Sequence, residues 1–240
     1  MPSIQLDLQP LRAILFDAVG TVLFADPSVI DVYFEVGRRH GSQVSRAEIA
    51  GRFKRALAGQ DELDRRVYGL RTNEAREMSR WRAIVAATLG ESADTQAALE
   101  QLWEHFARPA SWRLAPDAAE VFADLDRRRI VWGLASNFDR RLVTICDGLP
   151  PLARCEPVFA SSQLGWRKPS PGFFRSIEQQ LELPPEAFLL VGDDRANDYL
   201  AARNAGWQAV LVGSTDAAGD EPQLDSLRQL IELLDENRVA

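Results

Sequence analysis

Three carboxylates fall within six positions in the string Gly192-Asp193-Asp194-Arg195-Ala196-Asn197-Asp198, directly after an apolar run at 188–191. Acids crowded at a strand end repel one another unless a cation neutralises them. Hard oxygen donors with room left for water suit Mg²⁺, above all where a substrate phosphate completes the coordination shell. Another acid, Asp17, ends the apolar run Ala13–Phe16 and leads into the turn Gly20-Thr21. In open parallel sheets ligands bind at the carboxyl ends of strands, so Asp17 is expected in the same crevice. Taken alone, Asp17 reads equally well as a turn aspartate, and Asp198 as the cap of a helix beginning near Tyr199. Only the combination points to chemistry.

Two further strand ends supply polar groups. The run at 130–135 delivers Ser136 and Asn137, small donors suited to a phosphate oxygen. Lys168 stands in Gly165-Trp166-Arg167-Lys168-Pro169-Ser170-Pro171, just ahead of a helix with Pro171 in its first turn. Lys54 and Lys168 are the only lysines among 28 basic residues. A lysine beside the aspartates can offset both their charge and that of a phosphorylated substrate. Singly, Ser136 is as good a helix cap as a ligand, and one lysine is ordinarily solvated surface. The ordered set Asp, Ser, Lys, Asp-Asp is far more specific than any member.

The elements that must hold these residues alternate. Strands are expected at Ala13–Phe16, 130–135, 157–160, 188–191 and 209–212, and amphipathic helices at 116–128, 140–148, Pro171–Leu181 and 199–205, with a last helix at 224–237. Alternation of this kind predicts a Rossmann-like α/β/α core, a parallel sheet between two helical layers, with right-handed crossovers. Between residues 27 and 108 only helical periodicity appears. Ser45 and Glu48 form a capping box ahead of Ile49, Phe53 and Leu57. Asn73 can cap a stretch carrying Met78, Trp81, Ile84, Val85 and Leu89 at helical spacing. The expected organisation is a core of residues 1–26 and 109–240 with an all-helical cap domain, 27–108, inserted after the first strand. Residues 215–222 read as a polar loop.

Composition narrows the function. The chain has 240 residues, 46% hydrophobic and 26% charged, enough for one core and one insertion. A net charge of −7 argues against nucleic-acid binding, which needs a basic face. No apolar run reaches the ~20 residues of a membrane span, and Leu6, Leu8 and Leu11 are interrupted by Asp7, Pro10 and Arg12, unlike a signal peptide. Cys146 and Cys155 read as reduced thiols. With two histidines, a His-rich zinc or iron centre is excluded. A cytoplasmic monomer or homodimer is expected.

Across nearly its whole length the chain resembles the haloacid dehalogenase superfamily, whose four motifs occur in this order. Asp17 matches the nucleophile, Ser136 the second motif, Lys168 the third, and Asp193 and Asp198 the acidic fourth; the insertion resembles the helical cap placed between motifs one and two. The resemblance implies a hydrolase that uses Mg²⁺, held by Asp17, the backbone carbonyl of Val19, Asp193 and Asp198, the last orienting a metal-bound water. It implies that Thr21, Ser136, Asn137 and Lys168 bind the phosphoryl group of a small phosphorylated compound, and that attack by Asp17 forms an aspartyl-phosphate.

One position departs from the pattern. Family phosphatases usually carry a second aspartate two residues after the nucleophile, which protonates the leaving alcohol; here it is Val19. Loss of a positioned general acid–base is worth ~10²–10⁴-fold. The resemblance therefore implies either an activated substrate (acyl phosphate, anhydride or aryl phosphate) or feeble turnover of sugar phosphates. Asp26, near the lid hinge, is a weak candidate for replacing the acid. Two other readings stay open: a metal-independent dehalogenase, whose opening motif resembles Phe16-Asp17-Ala18-Val19-Gly20-Thr21, and a catalytically silent binding protein. A Schiff-base reaction would need a cap lysine, for which Lys54 is the sole candidate. Tyr33, Arg38 and Trp81 are the cap positions that could face the cavity.

Overall fold

In the computed structural model the described residues are Leu6, 10–214 and 221–236. Most of the expected loop at 215–222, and the expected helix end at Asn237, lie outside them. Among the described residues there are eight strands: β1 Ala13–Phe16, β2 Leu23–Ala25, β3 Trp112–Leu114, β4 Val131–Ser136, β5 Val158–Ala160, β6 Phe188–Gly192, β7 Gln208–Val212 and β8 Gln223–Leu224. Six of them form one sheet in the order β5-β4-β1-β6-β7-β8, every neighbouring pair parallel.

Both faces of this sheet are covered, which is why its strands read as unbroken apolar runs. In β1, Ile14 and Phe16 join one hydrophobic cluster while Ala13 and Leu15 join another. Strand β6 divides likewise, Leu189 and Val191 against Phe188 and Leu190. The first face is closed by helices at Ala118–Arg128, Arg141–Gly148 and Gln229–Glu236, the second by helices at Pro171–Leu181 and Ala201–Asn204. The chain thus has the expected α/β/α architecture.

Four helices separate β2 from β3: α1 Val29–Arg39, α2 Arg46–Arg66, α3 Glu74–Leu89 and α4 Thr95–His105. They enclose their own cluster around Tyr33, Ile49, Val85, Leu89 and Leu99. The Ser45–Glu48 capping box forms at the start of α2, and Asn73 accepts from the Arg76 amide at the start of α3.

Several elements differ from expectation. The antiparallel pair β2–β3, through which the chain enters and leaves the helical insertion, has three residues per strand, too few for a periodic signal. The same holds for the two residues of β8. The helix expected at 199–205 begins earlier, as a wide π-type turn over Arg195–Leu200, and its cap is Asp194, which accepts from the amides of Ala196 (2.8 Å) and Asn197 (2.9 Å). Asp198 is therefore not the cap and is left free for the site. No helix among the described residues is long and apolar enough to cross a membrane.

Candidate active site

The carboxyl ends of β1, β4 and β6 lie side by side, because Phe16 is in register with Leu134 on one side and Val191 on the other. Ser136, the last residue of β4, and Asp17 and Asp193, which directly follow β1 and β6, share one edge. Carboxylate oxygens of Asp17, Asp193 and Asp198 all lie within 4.8 Å of one another. Asp17 and Asp198 are buried and Asp193 half-buried. The buried ammonium of Lys168 donates to Asp17 Oδ1 (2.6 Å), Asp198 Oδ1 (2.5 Å) and the Ala135 carbonyl (2.9 Å). All three of its N–H groups are engaged.

Charge is unbalanced here: three acids face one cation. Burial acts against the Lys168 ammonium, but the attraction of Asp17 and Asp198 holds it above the ordinary lysine range. Burial, and then repulsion from Asp17, push the Asp193 carboxyl up to about 6, against the pull of the hydrogen bond from Thr21. Burial likewise raises Asp198, with Lys168 pulling the other way. Such a set of hard oxygens suits a small divalent cation such as Mg²⁺.

Two glycines permit the approach. Gly20 has φ +100°, and a Cβ there would come within 2.4 Å of Asp193 Oδ2. At Gly192 a Cβ would meet Asp198 Oδ2 at 2.3 Å. Any side chain at either position displaces a carboxylate of the cluster.

The cluster opens into a cavity of about 360 Å³ reaching from the strand ends into the helical insertion. One wall is aromatic and includes Tyr33, Trp81, Trp103, Phe106, Trp112 and Phe138. The other is ionic. Buried Asp64 lies 2.6 Å from Arg76, 2.5 Å from Arg80 and 3.7 Å from Arg167. Arg80 also pairs with Asp61 at 2.6 Å, and Arg167 with Glu77 at 2.5 Å. Backbone bonds from Arg167 N to Leu70 O and from Thr72 N to Gly165 O tie the same insertion to the loop that carries Lys168.

The expected residues have distinct fates. Asp17, Val19, Ser136, Asn137, Lys168, Asp193 and Asp198 all line the cavity. The Ser136 hydroxyl has no hydrogen-bond partner among the described residues, although the Ser136 carbonyl accepts from the Phe138 amide at 2.8 Å, and the residue caps no helix, the next one starting at Arg141. The Asn137 side chain is used in clamping the Lys168 backbone, accepting from its amide at 2.7 Å and donating to its carbonyl at 3.0 Å. Thr21 lies outside the cavity lining, and its hydroxyl donates to Asp193 at 3.0 Å. Val19 is 40% exposed, its side chain at the cavity where an acid would stand. Asp26 and Lys54 are exposed and outside the lining, so neither is placed to act as acid or Schiff base. Of the three cap positions, Tyr33 and Trp81 face the cavity and Arg38 does not. Both cysteines are buried free thiols, burial pushing Cys146 up to about 12.

Sequence reasoning missed Asp61, Glu77, Arg80, Arg141 and Arg167. A signal existed for two of them: Glu77 and Arg80 fall in phase with Trp81, Ile84 and Thr88 on the buried face of α3. A charge on an apolar stripe asks for a partner.

Comparison with known proteins fits this geometry. The chain is 28% identical over 238 residues to haloacid dehalogenase-like hydrolase domain-containing protein 3 of Bos taurus, covering 94% of each. Its fold is similar to that of L-2-haloacid dehalogenase from Xanthobacter autotrophicus, with a TM-score of 0.72 at 17% identity over 94% of this chain and 98% of that one. It is also similar to a HAD phosphatase from Thermococcus onnurineus, with a TM-score of 0.66 at 20% identity over 93% and 98%. Residues 11–206 match the family model described as haloacid dehalogenase-like hydrolase, and the chain belongs to that family.

Proposed function

We propose that the chain is a Mg²⁺-dependent phosphatase acting on a small phosphorylated compound through Asp17. The carrying observation is the surplus of negative charge: three carboxylates meet within 4.8 Å with one ammonium among them. A dehalogenase working without metal has no use for that surplus, and the cost of gathering it argues for a cation. Asp17, Asp193 and Asp198 would hold Mg²⁺, together with the Val19 carbonyl. When bound, the ion neutralises the oxygens of the transferring phosphoryl group.

The protein's own groups divide the work. Lys168 donates to Asp17 Oδ1 and fixes the carboxylate in one orientation for attack. Asp17 Oδ attacks phosphorus in line, the bond from phosphorus to the leaving oxygen breaks, and an aspartyl-phosphate forms. Water then attacks that phosphorus, releasing inorganic phosphate and restoring Asp17, its proton passing to solvent. Ser136, whose hydroxyl is unengaged, is the donor best placed for a phosphoryl oxygen. Asn137 and Thr21 act behind it, holding Lys168 and Asp193 respectively. No acid stands at Val19, so the leaving group must depart without a proton.

A panel of activated and unactivated phosphate compounds, assayed for phosphate release with and without Mg²⁺, tests the reading. Activated compounds should turn over in Mg²⁺, and Asp17→Asn should lower the rate by at least about 10³-fold, the scale for losing a nucleophile. Halide release from 2-haloacids without Mg²⁺, and no phosphate from any ester, would replace this reading by the dehalogenase one.

A further inference from the structure

Resting on the phosphatase reading, we infer that the leaving group is a neutral aromatic alcohol, so that the substrate is an aryl phosphate monoester. Three observations converge. First, ring contacts run without a break from the helical insertion to the core: Phe53 to Tyr33 (5.0 Å), Tyr33 to Phe106 (6.4 Å), Phe106 to Trp112 (5.9 Å) and Trp112 to Phe138 (6.1 Å). All five line the cavity that begins at Asp17. Flat rings favour offset or edge contacts with another ring, and cavities of this size take small apolar ligands.

Second, every arginine lining the cavity is already matched. Arg80 and Arg167 are paired with Asp61, Asp64 and Glu77. Arg141 makes two bonds to Asp139 (2.8 and 2.7 Å), with its guanidinium 3.5 Å above the Trp103 ring. Among the described residues no unpaired cation remains in the cavity for a second phosphate or a carboxylate, and sugar-type hydroxyls would face mostly rings. Among the rings, the Tyr33 hydroxyl adds one polar group, while the charged groups of the opposite wall are spent on one another.

Third, Val19 puts an apolar side chain where a proton donor would stand. A phenolate leaves without protonation far more readily than an alkoxide, since phenols lose their proton near pH 10. On attack by Asp17 the phosphorus–oxygen bond to the ring breaks, the electron pair leaves on the phenolate oxygen, and that oxygen takes its proton from water. The apolar wall and the missing acid thus select the same molecule.

The test compares 2-naphthyl phosphate, acetyl phosphate and glucose 6-phosphate in Mg²⁺. The KM for 2-naphthyl phosphate should be at least tenfold below that for acetyl phosphate, and glucose 6-phosphate should be the poorest substrate. Trp81→Ala should lower the ratio of kcat/KM for naphthyl over acetyl phosphate at least fivefold, with Trp81→Phe recovering most of it. Should Trp81→Ala not fold, inhibition of the unaltered protein decides: phenylphosphonate should compete with acetyl phosphate at least tenfold more tightly than methylphosphonate. Turnover of acetyl phosphate with equal inhibition by the two phosphonates overturns the aromatic assignment and leaves the phosphatase standing. Absence of phosphate from all three compounds overturns both.

Discussion

Two charged clusters border the same cavity, and their charge ratios differ. On the helical insertion Asp61, Asp64 and Glu77 meet Arg76 and Arg80 of the same insertion and Arg167 of the Lys168 loop, three acids against three cations. At the strand ends Asp17, Asp193 and Asp198 meet Lys168 alone. Buried charge is tolerated where it is paired and hydrogen-bonded, so the first cluster is complete as it stands and serves to hold the insertion against the Lys168 loop. The second carries surplus negative charge, which the proposed Mg²⁺ would offset. A balanced network reads as structure, and an unbalanced one beside a cavity reads as a site.

The largest expected effect comes from unbalancing the complete cluster. Asp64→Asn leaves three arginines with two acids at a buried position, which should destabilise the fold by about 3–5 kcal/mol in urea unfolding. Removing an acid from the strand-end cluster should act in the opposite sense: without Mg²⁺, Asp193→Asn should leave stability unchanged or raised, because burial and Asp17 already disfavour its charge. Equal losses in the two variants would erase the distinction.

Next in size is the missing acid. Val19→Asp should raise kcat/KM for alkyl phosphates by about 10²-fold, the low end of what a positioned general acid contributes. The gain for aryl phosphates should be smaller, because their leaving groups need no proton. An equal gain for both would detach Val19 from leaving-group choice.

The smallest effect concerns protons competing for the metal position. The Asp193 carboxyl, lifted to about 6, is mostly protonated at pH 5 and mostly ionised at pH 7. Apparent Mg²⁺ affinity should therefore fall about tenfold between pH 7 and pH 5. The same shift makes the metal-free fold less stable as pH rises from the ordinary carboxylate range through 6, since the folded state holds the proton more tightly than the unfolded chain. Thermal unfolding with and without Mg²⁺ across that window reads both signs; a flat affinity would mean that Asp193 does not meet the ion.

Much of this arrangement was legible in the linear chain. Strands buried on both faces must be apolar throughout, and a parallel sheet sends all their carboxyl ends to one edge. An acid or a serine placed directly after such a run, as Asp17, Ser136 and Asp193 are, lands at that edge whatever the rest of the fold does. Helical periodicity and end caps, such as Ser45 with Glu48, carried the insertion in the same way. Short pieces were not legible, because three residues of β2 or β3 hold too little pattern to register.

What the folded molecule alone decided is partnership. Apolar spacing tells which face of α3 is buried but not what it meets, so the ion pair between Glu77 and Arg167, 90 positions apart, could not be foreseen. Nor could the spending of all three Lys168 donors on Asp17, Asp198 and Ala135, or the use of Thr21 and Asn137 to hold other site residues rather than to line an open donor set. A side chain's residue type sets what it is able to bond. Which of several able partners it reaches depends on ångström-scale placement, and that arises only when distant segments are packed together.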